Sequence, residues 1–437
     1  MNTATVGTVV NANFTTWVSP LTNANIYTTP FSTAIPLSLH EAIVQENVSF
    51  KEDVLVGDIV SNKVRNIFVI VNMTILAQLI SIFGVVANII NIIVFIKQGF
   101  GEAMTVTLTG LAVADLGTVT CQVWHSICWN PWFDFKTLQL PFNPLQIVYL
   151  SSGHPRLSSV RISAMILAWA TLERCLCITM PFKVRELITP TRSKLFVMAV
   201  FIINTASAMP FYYTSRIVSF FDTAVNRSYL ILAFTKDRQT IDSVSFALSA
   251  SLTVCAFVAV AVLTIVLVYT LDKASKWRES AMASGSTAEQ GKPESKESIS
   301  SKKSAKEGQK EKTKEQLMTK DPSAEEKKKS QQTGASNKNK RAAKMVSIIS
   351  AIFIVCNIPN TCNQLINAFV PEFAKNGSYV NLNQTFWSVG YLTETVNASV
   401  NIFMYYTMSS RYRSIIQEML CKRCLSLKKD GKDMDKK

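Results

Sequence analysis

The sequence has little charge and little histidine for its length. Of its 437 residues, 17% are charged and 48% are hydrophobic. The three histidines, His40, His125 and His154, have no second metal ligand or nucleophile at a usable spacing, which argues against an enzyme. The first residues lack the basic start and apolar block of a cleaved signal peptide, so we expect the first membrane span to act as its own insertion signal.

Cysteine occurs at nine positions, but the spacing does not predict a disulfide framework. Most of the nine lie in apolar stretches, where free cysteine behaves as a small hydrophobic side chain. The stretch from Phe211 to Asp242 contains none. Cys421 and Cys424 form a Cys-x-x-Cys pair without a second pair of ligands, so we expect no metal site.

Positive charge is concentrated in one segment. The net charge is +15, and between residues 272 and 344 there are 19 Lys and Arg against 11 Asp and Glu. This segment borders apolar stretches, so its charge indicates membrane topology and not binding to nucleic acid. Residues 272–340 contain almost no large apolar side chains, and we predict a disordered basic cytoplasmic loop with serines available for phosphorylation.

Seven apolar stretches are long enough to cross a bilayer, for which about 20 residues are needed. They lie near residues 66–96, 103–128, 156–180, 194–214, 243–271, 344–370 and 384–408. We predict an all-α membrane protein, a seven-helix bundle with five helices in 64–271 and two in 341–408. Residues 1–63, rich in Thr and Asn, are predicted to form a disordered extracellular tail. Residues 409–437 are predicted to form an amphipathic helix, lying on the inner leaflet, and a cytoplasmic tail.

Two independent features of the sequence predict the same orientation. Glycosylation sequons fall on the side of the amino-terminal tail, at Asn13, Asn47, Asn226, Asn376 and Asn383. The Lys-rich loops and the carboxyl tail fall on the other side, as the positive-inside rule requires. We predict a multi-pass plasma-membrane protein with an extracellular amino terminus, in which Cys421 and Cys424 are candidate palmitoylation sites.

Ionisable side chains interrupt the apolar stretches. An arginine at the centre of a membrane helix costs roughly 2.5 kcal/mol or more, so such residues indicate function. Asp115 lies in the middle of the second stretch, where a carboxylate needs a cation, a proton or hydrogen-bond donors. The third stretch contains Arg156 and Arg161 and ends at Glu173 and Arg174. Taken alone, the Glu173-Arg174 pair is more typical of a surface ion pair.

Several motifs, in the right order and on the right helices, resemble those of rhodopsin-like (class A) G-protein-coupled receptors. Glu173-Arg174-Cys175 resembles the family's Asp/Glu-Arg-Tyr motif at the end of the third helix. The run from Phe353 to Pro359 resembles the Phe-x-x-Cys-Trp-x-Pro hinge, with Asn357 in place of tryptophan. The end of the seventh stretch resembles the Asn-Pro-x-x-Tyr motif, with Ile402 in place of proline. The run from Glu173 to Val184, together with Asn88-Ile89-Ile90-Asn91, is similar to the gastropod chemosensory-receptor branch.

The resemblance implies a role for each matched residue. A switch that couples to a heterotrimeric G protein would comprise Glu173, Arg174, Phe182, Tyr269, Pro359, Asn401 and Tyr405. The resemblance implies one cofactor, an allosteric sodium ion, which would bind among Asp115, Ser163, Asn397 and Asn401. In the alternative interpretation these residues bind ordered water and no ion. An outer ligand pocket would comprise Arg156, Arg161, Asn357, Asn360, Gln364, Tyr391 and Glu394.

The sequence departs from the family pattern at two further places. The acid that pairs with the arginine at the base of the sixth helix is absent, since Asn339-Lys340-Arg341 stands there, and Glu173 remains as the expected partner. The cysteine expected near Tyr149 and its partner in the second outer loop are both absent. A pairing of Cys121 or Cys128 with Cys362 stays open.

The predicted function is reception of an extracellular small-molecule or peptide ligand, in a chemosensory role, with activation of a heterotrimeric G protein. Arg156 and Arg161 favour an anionic or carboxylate-bearing ligand, because guanidinium forms bidentate pairs with carboxylate. In the rival interpretation Glu394 neutralises Arg161, and Arg156 extends to water. The alternatives are a neuropeptide receptor of the same family and, in a different class, a transporter or channel, although no inverted repeat is visible.

Overall fold

The structure is a computed structural model that describes residues 59–133, 138–180, 183–222, 226–289, 322–373 and 378–421. The long helices are α1 Asn62–Gln98, α2 Ala103–Cys128, α3 Pro144–Thr179, α4 Pro190–Tyr213, α5 Arg238–Glu289, α6 Pro322–Phe369 and α7 Val380–Met408. Residues 410–421 form a shorter helix, α8. Two strands, β1 Ser215–Asp222 and β2 Arg227–Phe234, lie between α4 and α5.

Capping residues set where the helices begin. Ser61 accepts a hydrogen bond from the main-chain N–H of Val64 at the start of α1, and Thr189 caps α4 in the same way. Asn143 caps α3, where Pro144 occupies the first helical turn and needs no donor partner. Both α1 and α3 contain π-helical segments near their outer ends, at Ile70–Leu76 and Tyr149–Gly153. Such segments are frequent at functional sites.

The helices form a closed ring around α3. This helix packs against α2, α4, α5 and α6, and the ring closes because α7 packs against both α6 and α1. The apolar core lies between the inner halves of the helices and includes Leu111, Ile166, Leu267 and Ile349. Apolar side chains on the outside of α1, α4 and α5 are exposed, as expected of helices that face lipid.

Six of the seven long helices, α1 to α6, are long and apolar enough to cross a membrane. The remaining helix, α7, is 29 residues long but is less apolar, because it carries many polar residues. Buried polar residues of α7, including Asn381, Ser388, Glu394, Thr395 and Asn401, face the interior of the bundle. The predicted bundle is therefore supported by apolar composition for six helices and by packing for the seventh.

Helices α5 and α6 extend into the segment that we predicted to be disordered. Within the predicted loop 272–340, α5 continues to Glu289 and α6 begins at Pro322. Ala, Lys and Glu, which occur repeatedly in both extensions, have high helix propensity. Residues 290–321 lie outside the described part of the chain, as do residues 1–58 of the predicted tail.

The β-hairpin covers the outer end of the bundle. Its strands are antiparallel, from Ser215 opposite Phe234 to Asp222 opposite Arg227. The loop before α3 pairs with β2: Leu230 N donates to Pro141 O at 2.7 Å, and Arg227 Nη2 donates to Leu140 O at 3.0 Å. These bonds attach the hairpin where the family's disulfide is missing. Within the described residues Cys121, Cys128 and Cys362 are all free, so the pairing left open by the sequence does not form.

Candidate functional site

The middle of the bundle contains a carboxylate held by two neighbouring helices. Asp115 on α2 is 1% exposed. Ser163 Oγ on α3 donates to Asp115 Oδ1 at 2.8 Å, and Asn401 Nδ2 on α7 donates to Oδ2 at 2.7 Å. The structure therefore brings together three of the four predicted sodium-site residues. Among the hydrogen bonds of the described residues, none joins Asn397 to this carboxylate.

The atoms of this cluster fit the sodium ion that the resemblance implies. Asn401 Oδ1 is buried beside the carboxylate without a hydrogen-bond partner among the described residues. Hard cations take carboxylate, hydroxyl and amide oxygens as ligands. Asp115 would supply the negative charge, and Ser163 and Asn401 would supply further oxygens.

At the inner end of α3, Glu173 and Arg174 are buried but do not pair. Glu173 Oε1 accepts hydrogen bonds from Thr107 Oγ1 of α2 at 3.0 Å and from Ser193 Oγ of α4 at 2.6 Å. In the described part of the chain no salt bridge joins Glu173 to Arg174, and Arg174 Nε has no hydrogen-bond partner. The expectation that Glu173 is the partner of Arg174 is therefore corrected: hydroxyl donors on α2 and α4 satisfy the buried carboxylate.

A pair of hydroxyl groups joins α3 to α6 one turn above Arg174. The Oγ atoms of Thr171 and Ser350 are 3.0 Å apart and both side chains are buried. Pro359 lies nine residues further along, inside α6, where it removes a backbone donor. The hydroxyl pair occupies the part of the α3–α6 contact nearest to the predicted switch.

The other predicted switch residues are dispersed. Tyr405 on α7 is buried and packs edge-on against Phe95, with ring centroids 5.1 Å apart. Tyr269 on α5 is 66% exposed, so its side chain points away from the bundle. Phe182 lies outside the described residues. Among the described switch residues, Tyr405, Glu173 and Arg174 are buried in the inner half, and Asn401 is buried in the Asp115 cluster.

At the outer end of α3, Arg156 forms a buried ion pair with α7. Arg156 Nη1 is 2.8 Å from Glu394 Oε2, and neither side chain is exposed by more than 2%. Arg156 Nη2 donates to the Tyr391 carbonyl, and the guanidinium lies 4.0 Å from the centre of the Tyr391 ring. Asn360 Nδ2 of α6 donates to the other oxygen of Glu394. Four predicted pocket residues thus form one network that joins α3, α6 and α7.

This network overturns the pairing in the rival interpretation of the sequence. Glu394 neutralises Arg156 and not Arg161, and Arg156 is fully buried instead of extending to water. Arg161 binds Ser158 Oγ at 3.1 Å and Asn204 Oδ1 at 3.3 Å. Within the described residues it has no carboxylate partner.

The last two predicted pocket residues lie on α6. Asn357 is buried, and its Nδ2 donates to the Phe353 carbonyl of its own helix at 2.8 Å. Gln364 lines a small cavity between α3, α5 and α6 that Arg161 also lines. The structure therefore places Gln364, but not Asn357, next to the unpaired guanidinium.

A larger cavity, which we call the outer cavity, opens at the outer end of the bundle. Its volume is about 140 Å³. It lies mainly between α1, α2, α3 and α7, and its aromatic and imidazole lining comprises His125, Trp129, Tyr149, His154, Phe246, Trp387 and Tyr391. Of these, the sequence predicted only Tyr391. Aromatic residues in apolar helices carry no signal that separates a cavity wall from ordinary packing.

Both π-helical segments border the outer cavity. Met73 of α1 and Tyr149 and Gly153 of α3 line it. Ser152, in the second segment, is 3.1 Å from His125 Nδ1. A π-helical turn moves the following side chains around the helix, which brings these residues to the cavity wall.

The fold, the inner arginine and the carboxylate cluster agree with one known family. The model of the 7 transmembrane receptor (rhodopsin family) matches residues 87–405, well over half of the chain. The chain belongs to the rhodopsin family of seven-transmembrane receptors. Among curated protein sequences, no match is found.

Membership confirms the family resemblance. The receptor is a multi-pass membrane protein of the G-protein-coupled class, whose members bind extracellular ligands and heterotrimeric G proteins and are generally not enzymes. The match extends from the end of α1 to Tyr405 at the end of α7. It therefore includes the whole Asp115 cluster, the Glu173-Arg174 pair and the Arg156–Glu394 ion pair.

The receptor's predicted glycosylation sites differ in accessibility. Asn226 is exposed in the turn between β1 and β2. Asn383 is buried in the first turn of α7, where its Nδ2 donates to Asn367 Oδ1 and to the Phe373 carbonyl. The nitrogen that would carry a glycan is therefore occupied, and we expect Asn383 to be less accessible to glycosylation than Asn226. Asn13, Asn47 and Asn376 lie outside the described residues.

Helix α8 is attached to α1 by a buried tyrosine and by Arg411, whose Nη2 donates to the Gln98 carbonyl at 2.6 Å. Tyr412 is fully buried, and its hydroxyl donates to Asn91 Oδ1 of α1 at 2.6 Å. Burial raises the pKa of the Tyr412 hydroxyl, which keeps it protonated as a donor. Asn91 Nδ2 continues the chain to Asn88, which donates to the Ala398 carbonyl of α7. Cys421 is exposed at the end of α8, and Cys424 lies outside the described residues.

Proposed function

We propose that this receptor lies in the plasma membrane with its amino terminus outside and converts binding of an extracellular chemical ligand into activation of a heterotrimeric G protein. The observation that carries the proposal is the state of Arg174: it is buried at the inner end of α3, next to an acid that is bound to other helices. An arginine without a carboxylate partner is available to an incoming helix of a G protein.

The outer cavity lies near the opposite end of α3, which gives ligand binding a connection to Arg174. A ligand in this cavity would favour the conformation to which it binds more tightly. Outward movement of the inner end of α6 around Pro359 would uncover Arg174, as in other hinge transitions. The main polar contact to be lost is the Thr171–Ser350 hydroxyl pair. Because a neutral hydrogen bond contributes only about 0.5–1.5 kcal/mol, we propose that basal activity is high.

The chemosensory role rests on the resemblance of the Glu173-to-Val184 run and of Asn88 to Asn91 to the gastropod branch. The side chains of Asn88 and Asn91 form a chain of hydrogen bonds that joins α1 to α7 and α8. An allosteric sodium ion at Asp115 and palmitoylation of Cys421 or Cys424 belong to the same proposal. A neutral aromatic cavity of this size suits a small molecule better than a long peptide.

Nucleotide exchange on a purified G protein tests the proposal. The full-length receptor in lipid nanodiscs should accelerate exchange without ligand, and Arg174→Ala should remove most of this acceleration. Arg413→Ala is a matched control, since Arg413 is an exposed arginine on α8. Ligand-dependent flux into vesicles without any effect on exchange would instead establish a transporter or channel.

A further inference from the structure

The cavity next to Arg161 differs from the outer cavity in its charge. This side cavity, of about 30 Å³, is lined by Gln364 of α6 and by five polar residues of α3 and α5: His154, Ser158, Arg161, Ser249 and Thr253. Arg161 is 6% exposed and has no carboxylate partner among the described residues. Ser249 Oγ, also in its wall, is buried without a hydrogen-bond partner. The Arg161 guanidinium and the unsatisfied Ser249 hydroxyl, both donors to oxygen anions, thus line one small space.

A buried guanidinium without a carboxylate partner among the described residues is unfavourable. Ser158 and Asn204 accept hydrogen bonds from two of its nitrogens, but neither carries negative charge. A buried charge without a counter-charge loses several kcal/mol of hydration that hydrogen bonds only partly restore, by roughly the estimate for buried ions. An anion that enters the cavity would recover this energy, so the cavity favours anionic over neutral groups.

The acids of the surrounding helices are bound by other groups. Asp242, at the outer end of α5, is bound by Arg238 and Thr214. Glu394 is bound by Arg156 and Asn360. Asp115 is bound by Ser163 and Asn401. The counter-charge has to come from outside the described part of the chain.

The side cavity and the outer cavity share part of their walls. His154, Leu157 and Phe246 line both. His154 is held by stacking on Phe211, with ring centroids 4.0 Å apart. A ligand that fills the outer cavity therefore lies against the side cavity, with His154 between the aromatic wall and Arg161.

We infer that the ligand has an aromatic or other apolar body in the outer cavity and a carboxylate that binds Arg161 and Ser249 in the side cavity. This inference rests on the proposed function, in which an extracellular ligand enters the bundle. A carboxylate matches the planar donors of guanidinium. Since one water needs about 10–15 Å³, a cavity of this size takes a group with about two oxygens. A dianionic phosphate would bring a second charge that no described residue of this cavity neutralises.

Thermal unfolding of the full-length receptor in nanodiscs tests the inference with matched probes. The probes are 3-phenylpropionate and indole-3-acetate, each compared with its neutral amide. We expect the acids to raise the unfolding midpoint more than the amides do. Arg161→Gln should weaken acid binding by about tenfold or more, because a charge-assisted hydrogen bond is lost, and leave amide binding unchanged.

Arg216→Gln is the matched control, since it removes an exposed positive charge on β1 without touching either cavity. It should bind the acids as the unmodified receptor does. If Arg161→Gln does not fold, Ser249→Ala decides, because it should weaken acid binding alone. Acids that bind no better than their amides, or that bind Arg161→Gln or Ser249→Ala as tightly as the unmodified receptor, would overturn the inference.

The same experiment separates this inference from the proposed function. Binding is measured without a G protein, so an acid that binds through Arg161 but never changes nucleotide exchange would contradict G-protein coupling and leave the carboxylate site intact. Nucleotide exchange that responds to a neutral compound and is unaffected by Arg161→Gln would instead support G-protein coupling and contradict the carboxylate site.

Discussion

The two ends of α3 hold the same side chain in opposite ways. Arg156 and Arg174 lie 18 residues, or five turns, apart on one helix, and both are buried. The outer arginine binds a carboxylate, a carbonyl and an aromatic ring. The inner arginine stands beside Glu173, whose carboxylate is bound to α2 and α4. The outer end of α3 is therefore joined to α7 by an ion pair, whereas the polar contacts near its inner end are hydrogen bonds with hydroxyl groups.

This difference suits a receptor that opens at its inner face. Removing one member of a buried ion pair destabilises a protein by about 3–5 kcal/mol, whereas removing a neutral hydrogen bond costs about 0.5–1.5 kcal/mol. The α3–α6–α7 network around Glu394 should hold its geometry while the inner ends of α3 and α6 separate. The four predictions below test the contrast, from the largest expected effect to the smallest.

The largest effect is expected for Glu394→Gln. The variant leaves Arg156 buried without a counter-charge, so unfolding free energy should fall by about 3–5 kcal/mol. The measurement is thermal unfolding in detergent. The double variant Arg156→Met with Glu394→Gln removes both charges and should recover much of the loss. Equal stability of the single and double variants would show that the outer end is not fastened by this pair.

Asp115→Asn tests the middle of the bundle, between the two regions. With sodium at ten times its dissociation constant, the unmodified receptor should be stabilised by about 1.4 kcal/mol relative to choline chloride. The variant removes the negative charge of the cluster and should lose this difference. A sodium effect of the same size in both proteins would contradict the ion site.

Ser350→Ala sharpens the inner side of the comparison. The variant removes the hydroxyl that meets Thr171, which should favour the open conformation by about 1 kcal/mol and raise basal nucleotide exchange several-fold. Ser347→Ala is the matched control, because Ser347 bonds only to the Ala343 carbonyl of its own helix. If both variants behave alike, the hydroxyl pair does not restrain α6.

The smallest effect concerns the outer face itself. Asn226→Gln should remove one glycan and increase gel mobility, with no change in ligand response, since Asn226 is exposed in the hairpin turn. Asn383→Gln should leave the mobility as it is, because the Asn383 amide is buried. A glycan on Asn383 would mean that the first turn of α7 is not formed in the cell.

The family resemblance predicts the Asp115 cluster, because it assigns a role to each of its residues. Asp115, Ser163 and Asn401 each stand at a recognisable place in an apolar helix, and the structure joins them. The ends of α5 and α6 were not predicted, since highly polar helices have the same composition as disordered loops. The burial of Asn383 was not predicted either, because a sequon near the start of a helix is also typical of a loop.

The partner of each outer arginine could not be predicted. Arg156 and Arg161 are five residues apart, which turns their side chains by about 140° around α3. Either one faces α7 depending on the rotation of the helix, and a single sequence does not specify that rotation. The π-helical segment before Arg156 changes it further.

The attachment of the β-hairpin has a consequence for the chemistry of the outer face. Arg227 and main-chain hydrogen bonds hold the hairpin to the loop before α3, and the stretch from Phe211 to Asp242 contains no cysteine. Within the described residues no disulfide joins this face to the bundle, so we expect reducing agents to leave its attachment unchanged. Hydrogen bonds break and re-form with loop motions, which take ~ns to μs, so we expect the hairpin to move on that timescale.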